Sequence, residues 1–290
     1  MSFRTVVISR QSKISYKNRY LVVKRDNDEK YIHLSEIDTV IVDSISVSIS
    51  AYLLRELADA KINIIFCDET HNPFGELMPY YSRHNSSKMI KKQIKWTEKS
   101  KNELWTKIVK NKILNQSLLL KKIHSTKYEL VMSYIDEVAI GDKTNREGHA
   151  AKVYFNSLFG KEFSRDMNSS INDALNYGYA VLLSTISKEI VVNGYLTQLG
   201  INHKNEFNKF NLSCDLMEPF RIVIDNFVYY NKDREFDINY KMDIVNIFNR
   251  TFKYQNKNYT LKDIISFYVK NTLNCITNEE EYKDFVYYEG

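Results

Sequence analysis

The chain has 290 residues, 43% hydrophobic and 27% charged, so it is globular and long enough for about two domains. Eight glycines and three prolines exclude collagen-like and low-complexity chains, and neither a GxGxxG nor a P-loop motif marks a nucleotide site. The net charge is only +5, yet residues 83–112 carry ten basic and two acidic side chains against 31 and 34 elsewhere, the imbalance of a nucleic-acid binder.

Residues 1–79 read as a β-rich domain. Runs at 4–9, 13–16, 20–24 and 31–34 have strand character, and 39–43 and 62–67 are apolar enough for buried strands. Between the last two, Leu53, Leu54 and Leu57 form a helical stripe over 50–60, with Ser50 placed to cap it. Asn72-Pro73-Phe74-Gly75 reads as a turn, and a boundary is expected between Pro79 and Ser86. Residues 86–290 then read as an all-α domain, giving an α+β fold class. Lys88, Lys91, Lys92, Lys95 and Lys99 have the spacing of one helical face. That face is either solvated or a phosphate-binding strip; like charges four apart with few Glu partners favour the strip. Helices are expected at 104–120, 127–140, 144–159, 168–192, 214–230 and 264–273, with a small hairpin across 251–261. The 168–192 helix is apolar nearly all round after Tyr179, as a central core helix would be.

The most apolar stretch, residues 178–186, is too short to span a bilayer, and the N-terminus enters a strand pattern without a signal-peptide core. Cys67, Cys214 and Cys275 are odd in number and widely spaced, as expected of reduced thiols in a cytoplasmic protein without a membrane anchor.

Glu147 has two readings. Thr144 and Glu147 fit a capping box, which would make the carboxylate a helix tie. It also shares a stripe with Ala151, Tyr154 and Leu158, where an acid facing packed apolar groups needs a partner or a metal. His203 lies in an Asn- and Lys-rich loop. Asp215, Glu218 and Asp225 form an acidic stripe, with Pro219 expected in a first helical turn and Glu218 therefore near a helix start. First-turn acids complement the helix dipole, but three in line beside Arg221 exceed that role. Two carboxylates and a neutral imidazole suit Mg²⁺ or Mn²⁺. Asn172, Asn176 and Tyr179 read either as core hydrogen-bonding groups or as the lining of a cleft.

Several blocks resemble a known family. They are Gly141-Asp142-Lys143-Thr144-Asn145-Arg146-Glu147, Asn172-Asp173-Ala174-Leu175-Asn176-Tyr177-Gly178-Tyr179, Gly200-Ile201-Asn202-His203, and Asp215-Leu216-Met217-Glu218-Pro219-Phe220-Arg221. Over residues 1–230 the chain resembles the CRISPR-associated endonuclease and integrase of spacer acquisition. Cys67-Asp68-Glu69 with Pro73 and Gly75 resembles its type II branch. The resemblance implies that Glu147, His203 and Glu218 are catalytic and hold Mg²⁺ or Mn²⁺. It implies a homodimer that joins a small ferredoxin-like adaptation subunit in a heterohexamer, with residues 1–79 serving dimerisation and partner contacts. It also implies that captured duplexes are inserted into a CRISPR repeat by 3′-hydroxyl attack on repeat-boundary phosphodiesters. Lys88, Lys91, Lys92 and Lys95, with Arg146 and Arg221, become the expected DNA contacts. A stand-alone metal nuclease, or a non-catalytic DNA-binding scaffold with Glu147 as a cap, are the alternatives. Glu206, Lys209 and Ile222 stand where related sequences often carry proline, and Glu218 where some branches use Asp.

Overall fold

The computed structural model describes residues 4–26, 28–69, 73–77, 85–278 and 280–287. The chain is α+β and forms two compact units, Met1–His84 and Asn85–Gly290.

In the first unit, β1 (Arg4–Ile8), β5 (Ile37–Val42) and β7 (Asn63–Cys67) run parallel, and β8 (Pro73–Leu77) pairs antiparallel with β7 at the edge. A second sheet has the order β4 (Asp28–His33), β3 (Tyr20–Arg25), β2 (Ser12–Lys17), β6 (Val47–Ile49). Helix α1 (Ala51–Asp59) is capped by Ser50, whose side chain accepts from the Leu53 amide at 3.3 Å. Its Leu53 and Leu57 pack with Ile14, Leu21, Ile37, Val40 and Ile64 in one core. One expectation changes, and one strand is unanticipated. Pro73, Phe74 and Gly75 lie in β8 rather than in a turn, because a proline at the start of an edge strand forfeits no ladder bond; Asn72 and residues 78–84 are outside the described residues. The three-residue β6 is too short to leave a periodic signal.

The second unit is built from α2 (Ser86–Ile94), α3 (Glu98–Lys122), α4 (Tyr128–Glu137), α5 (Arg146–Phe159), α6 (Ser170–Val192), α7 (Asn211–Met217), α8 (Arg221–Tyr230), α9 (Ile238–Ile247) and α10 (Leu261–Asn278). The hairpin of β9 (Thr251–Tyr254) and β10 (Lys257–Thr260) sits before α10. Helix α6 is the centre, packed against α7, α8, α9 and α10. Leu175, Leu182, Ile186 and Ile190 are buried along it. Among the described residues no helix is long and apolar enough to cross a membrane.

Close approach of α6 and α8 explains Gly178. A Cβ there would lie 2.4 Å from Ile224 Cγ2. Gly178→Ala is therefore expected to destabilise by about 1–3 kcal/mol through overpacking, partly offset by better helix propensity. A lowered urea midpoint checks this; an unchanged midpoint would mean that the two helices separate freely.

The segment 280–287 returns to α3. Buried Asn111 donates to the Phe285 carbonyl at 2.8 Å and accepts its amide at 3.1 Å. Asn115 accepts from the Tyr287 amide at 3.0 Å and donates to the carbonyls of Phe285 (2.8 Å) and Pro219 (2.9 Å). The Phe285 ring stacks on Phe220, with centroids 4.3 Å apart and planes at 15°.

Candidate active site

Glu147 is not a cap. Helix α5 starts at Arg146, and Asn145 before it is left-handed (φ 50°) and makes no side-chain cap bond. Asp142 does the capping instead, accepting from the amides of Arg146 (2.8 Å) and Glu147 (3.1 Å). Thr144 is turned away and donates to the Glu137 carbonyl. The capping-box reading therefore fails because an acid two residues before Thr144 reaches the orphan amides first. This leaves the Glu147 carboxylate to meet the Lys112 ammonium on α3, at 2.6 Å.

Glu218 meets the same ammonium, also at 2.6 Å, and Arg221 Nε at 3.0 Å. It is 4% exposed. Burial opposes its charge, but the Arg221 guanidinium and Lys112 ammonium outweigh that penalty and hold the carboxyl at about 2. Glu218 is not near the start of a long helix, as Pro219 suggested. Helix α7 ends at Met217, and a 3-10 turn, Glu218–Phe220, leads into α8. The proline's missing N–H is tolerated at this break.

His203 is oriented by buried Asp215. The carboxylate accepts from the backbone amides of Ile201 (2.5 Å), Asn202 (3.1 Å) and His203 (3.1 Å), and lies 2.6 Å from His203 Nδ1. Nδ1 is thereby the protonated nitrogen, leaving Nε2 with a lone pair in the neutral ring. The Asp215 bond raises the His203 pKa against partial burial, with smaller contributions from Glu218 and Glu147. Gly200 makes this turn possible, since a Cβ would lie 2.3 Å from the His203 carbonyl oxygen and 2.9 Å from Asp215 Oδ2.

The acidic stripe thus divides. Asp215 holds the His203 loop, Glu218 faces cations, and Asp225 accepts from the hydroxyls of Tyr154 (3.0 Å) and Tyr179. Burial pushes Asp225 up to about 6, although both tyrosine bonds favour the anion. A carboxyl raised from an ordinary 3.8 holds its proton better when folded, so its contribution is complete below pH 4 and lost as pH rises through 6. Urea unfolding from pH 4 to 7 should show the wild type losing about 2 kcal/mol relative to Asp225→Asn, which lacks that carboxyl. Parallel pH profiles would contradict it.

Tyr179 also has two guanidinium groups over its ring, those of Arg221 (4.5 Å from its centroid) and Arg165 (5.3 Å). Arg165 holds Asn172 and Asn176 at 2.6 Å each. A cavity of about 200 Å³ lined by Lys112, Phe155, Arg165, Tyr179, Glu218 and Arg221 adjoins the acids.

Glu147 and Glu218 converge on one cation, and two oxygens with an imidazole are suitable donors for Mg²⁺ or Mn²⁺. That cation is the Lys112 ammonium, and among the described residues no three acidic, His or Cys side chains are grouped to hold a metal ion. Lys112 belongs to no sequence motif. Its signal is the polar set Asn111, Lys112, Asn115 and Gln116 within an otherwise apolar helix face.

The basic strip is shorter than its spacing implies. Helix α2 stops at Ile94, so Lys88, Lys91 and Lys92 share it, Lys95 closes it, and Lys99 belongs to α3. Thr97, accepting from the Ser100 amide, caps the new helix and breaks the register. Lys92, Lys95, Lys99 and Lys107 line a groove of about 670 Å³ with Trp96. Arg146 pairs with Glu137 at 2.8 Å and lies over Tyr134.

This fold has known counterparts. A casposase bound to integration product superposes with a TM-score of 0.79 at 19% identity, over 98% of this chain and 93% of that one. A chain of a Cas6-RT-Cas1--Cas2 complex matches with a TM-score of 0.78 at 19% identity over 99% of this chain, which spans only 36% of that longer chain. The family model described as CRISPR associated protein Cas1 matches residues 5–237, and the chain belongs to that family. It is 35% identical over 226 residues to the CRISPR-associated endonuclease Cas1 of Neisseria meningitidis serogroup C (strain 8013), covering 78% of this chain and 74% of the relative.

Proposed function

We propose that this chain is a divalent-metal-dependent DNA endonuclease and integrase. It inserts captured DNA into a CRISPR repeat, each 3′-hydroxyl attacking a repeat-boundary phosphodiester. The observation that carries this is the convergence of Glu147 and Glu218, from different helices, on a single cationic position. The fold likeness to a casposase bound to integration product supports joining, and the likeness to a chain of a Cas6-RT-Cas1--Cas2 complex supports a Cas2-type partner. The homodimer joined to a small ferredoxin-like subunit in a heterohexamer is what the family resemblance implies. The helical unit carries the chemistry in this reading, and residues 1–79 serve dimerisation and partner contacts in the cytoplasm.

Glu147, Glu218 and His203 Nε2 would hold Mg²⁺ or Mn²⁺. When bound, such an ion polarises a phosphodiester and stabilises the attacking or leaving oxygen. Asp215 keeps the imidazole in the tautomer that offers Nε2. Lys112 keeps the two acids together, offsetting repulsion that would otherwise splay α5 from the Glu218 turn. Lys88, Lys91, Lys92, Lys95, Arg146 and Arg221 contact DNA, the lysines through phosphates.

The test is joining of a 3′-hydroxyl duplex to a supercoiled plasmid containing the repeat, with Mg²⁺ or Mn²⁺ and the partner subunit. Joined product that disappears with EDTA is expected. Cleavage without joining in every mixture would identify a stand-alone nuclease. DNA binding with neither reaction would identify a scaffold.

A further inference from the structure

Phe207 is 86% exposed, the most exposed large apolar side chain among the described residues. Its backbone is nevertheless pinned. The Phe207 amide donates to Asn205 Oδ1 at 2.9 Å, and the Asn208 amide to the Asn205 carbonyl at 3.1 Å. The Phe210 amide donates to Asn208 Oδ1 at 2.9 Å, Asn211 Nδ2 to the Asn205 carbonyl at 2.9 Å, and Thr197 Oγ1 to the Lys209 carbonyl at 2.8 Å. Three asparagines thus supply the stiffness that prolines at 206 and 209 would give. A loop fastened this way does not collapse to bury the ring, which stays presented to solvent at a fixed place beside His203.

The loop joins His203 to the helix that carries Asp215. Four residues of chain span at most about 14 Å, so the ring lies within a few nucleotides of any phosphodiester at Glu147, His203 and Glu218. Local charge is mixed rather than a cluster of cations: Lys209 is exposed two residues beyond the ring. Lys204 is already paired with Glu98 at 2.9 Å, and Glu206 is exposed beside the ring. An aromatic face suits an unpaired base, and stacking ignores base identity, as handling DNA of arbitrary sequence requires.

We propose that Phe207 is a positioning residue that stacks on an unpaired base beside the reacting phosphodiester. This rests on the integrase and nuclease reading. The test uses the full chain in EDTA with branched DNA carrying 2-aminopurine at successive unpaired positions. The wild type should quench one position. Phe207→Ala should lose that quenching and bind the branch roughly 5- to 150-fold more weakly, the range for loss of one base–aromatic stack. Phe207→Trp should restore both. The ring makes no core contribution, so Phe207→Ala folds. Quenching and affinity unchanged in Phe207→Ala, in a wild type that joins DNA, would overturn this inference alone. Altered oligomeric mass by light scattering with unchanged quenching would assign the ring to a protein interface and also overturn it. A wild type that binds no branched DNA would overturn both readings.

Discussion

Glu218→Gln is expected to reduce strand joining by roughly 10³-fold or more, the scale of several kcal/mol of charge stabilisation at the reacting centre. The substitution keeps the shape of the side chain and removes one negative charge between two cations. Lys112 then keeps only Glu147 as an acidic partner, and Arg221 loses its carboxylate. Breaking a buried ion pair costs about 3–5 kcal/mol, and the remaining amide oxygen should limit the loss to the lower end. Joining and urea unfolding on the same preparation separate the two effects. A variant that unfolds like the wild type yet joins at wild-type rate would remove Glu218 from the chemistry.

Asp215→Ala should act more through structure. It strips an acceptor from three backbone amides and from His203 Nδ1. Unsatisfied buried donors cost about 1–3 kcal/mol each, so a total near 4 kcal/mol is expected after water repairs some of them. The imidazole also loses the bond that raises its pKa and fixes its tautomer. NMR titration of the His203 ring should move its midpoint down, and the hydrogen-bonded Nδ1 proton should vanish. Thermal unfolding gives the stability loss independently. An unshifted His203 midpoint would mean that Asp215 holds only the backbone.

Most of the secondary structure was legible because it rests on local rules. Ser50 caps α1, and alternating or β-branched runs became β2, β3 and β5. The failures occur where a distant partner decides. β8 exists because β7 offers a free edge, α9 is held by its packing against α6, and the α7–α8 break accommodates Pro219. The candidate site was legible only in pieces. Glu147 and Glu218 share Lys112 across three elements far apart in sequence, and no spacing rule connects them; the family resemblance alone suggested a common role. The local capping pattern even pointed Glu147 the wrong way, because Asp142 competes for the same amides.

The return of residues 280–287 to α3 has a consequence for synthesis. Phe285 seals the ring of Phe220, next to Glu218, and lies beyond the family match that ends at residue 237. A nascent chain that already holds Glu147, His203 and Glu218 still has Asn111 and Asn115 without their partners at Phe285 and Tyr287 until those two residues are made. The packing around the Glu218 turn is therefore completed only once residues 280–287 are made, so a product terminated before them would present that turn without the Phe220–Phe285 stack.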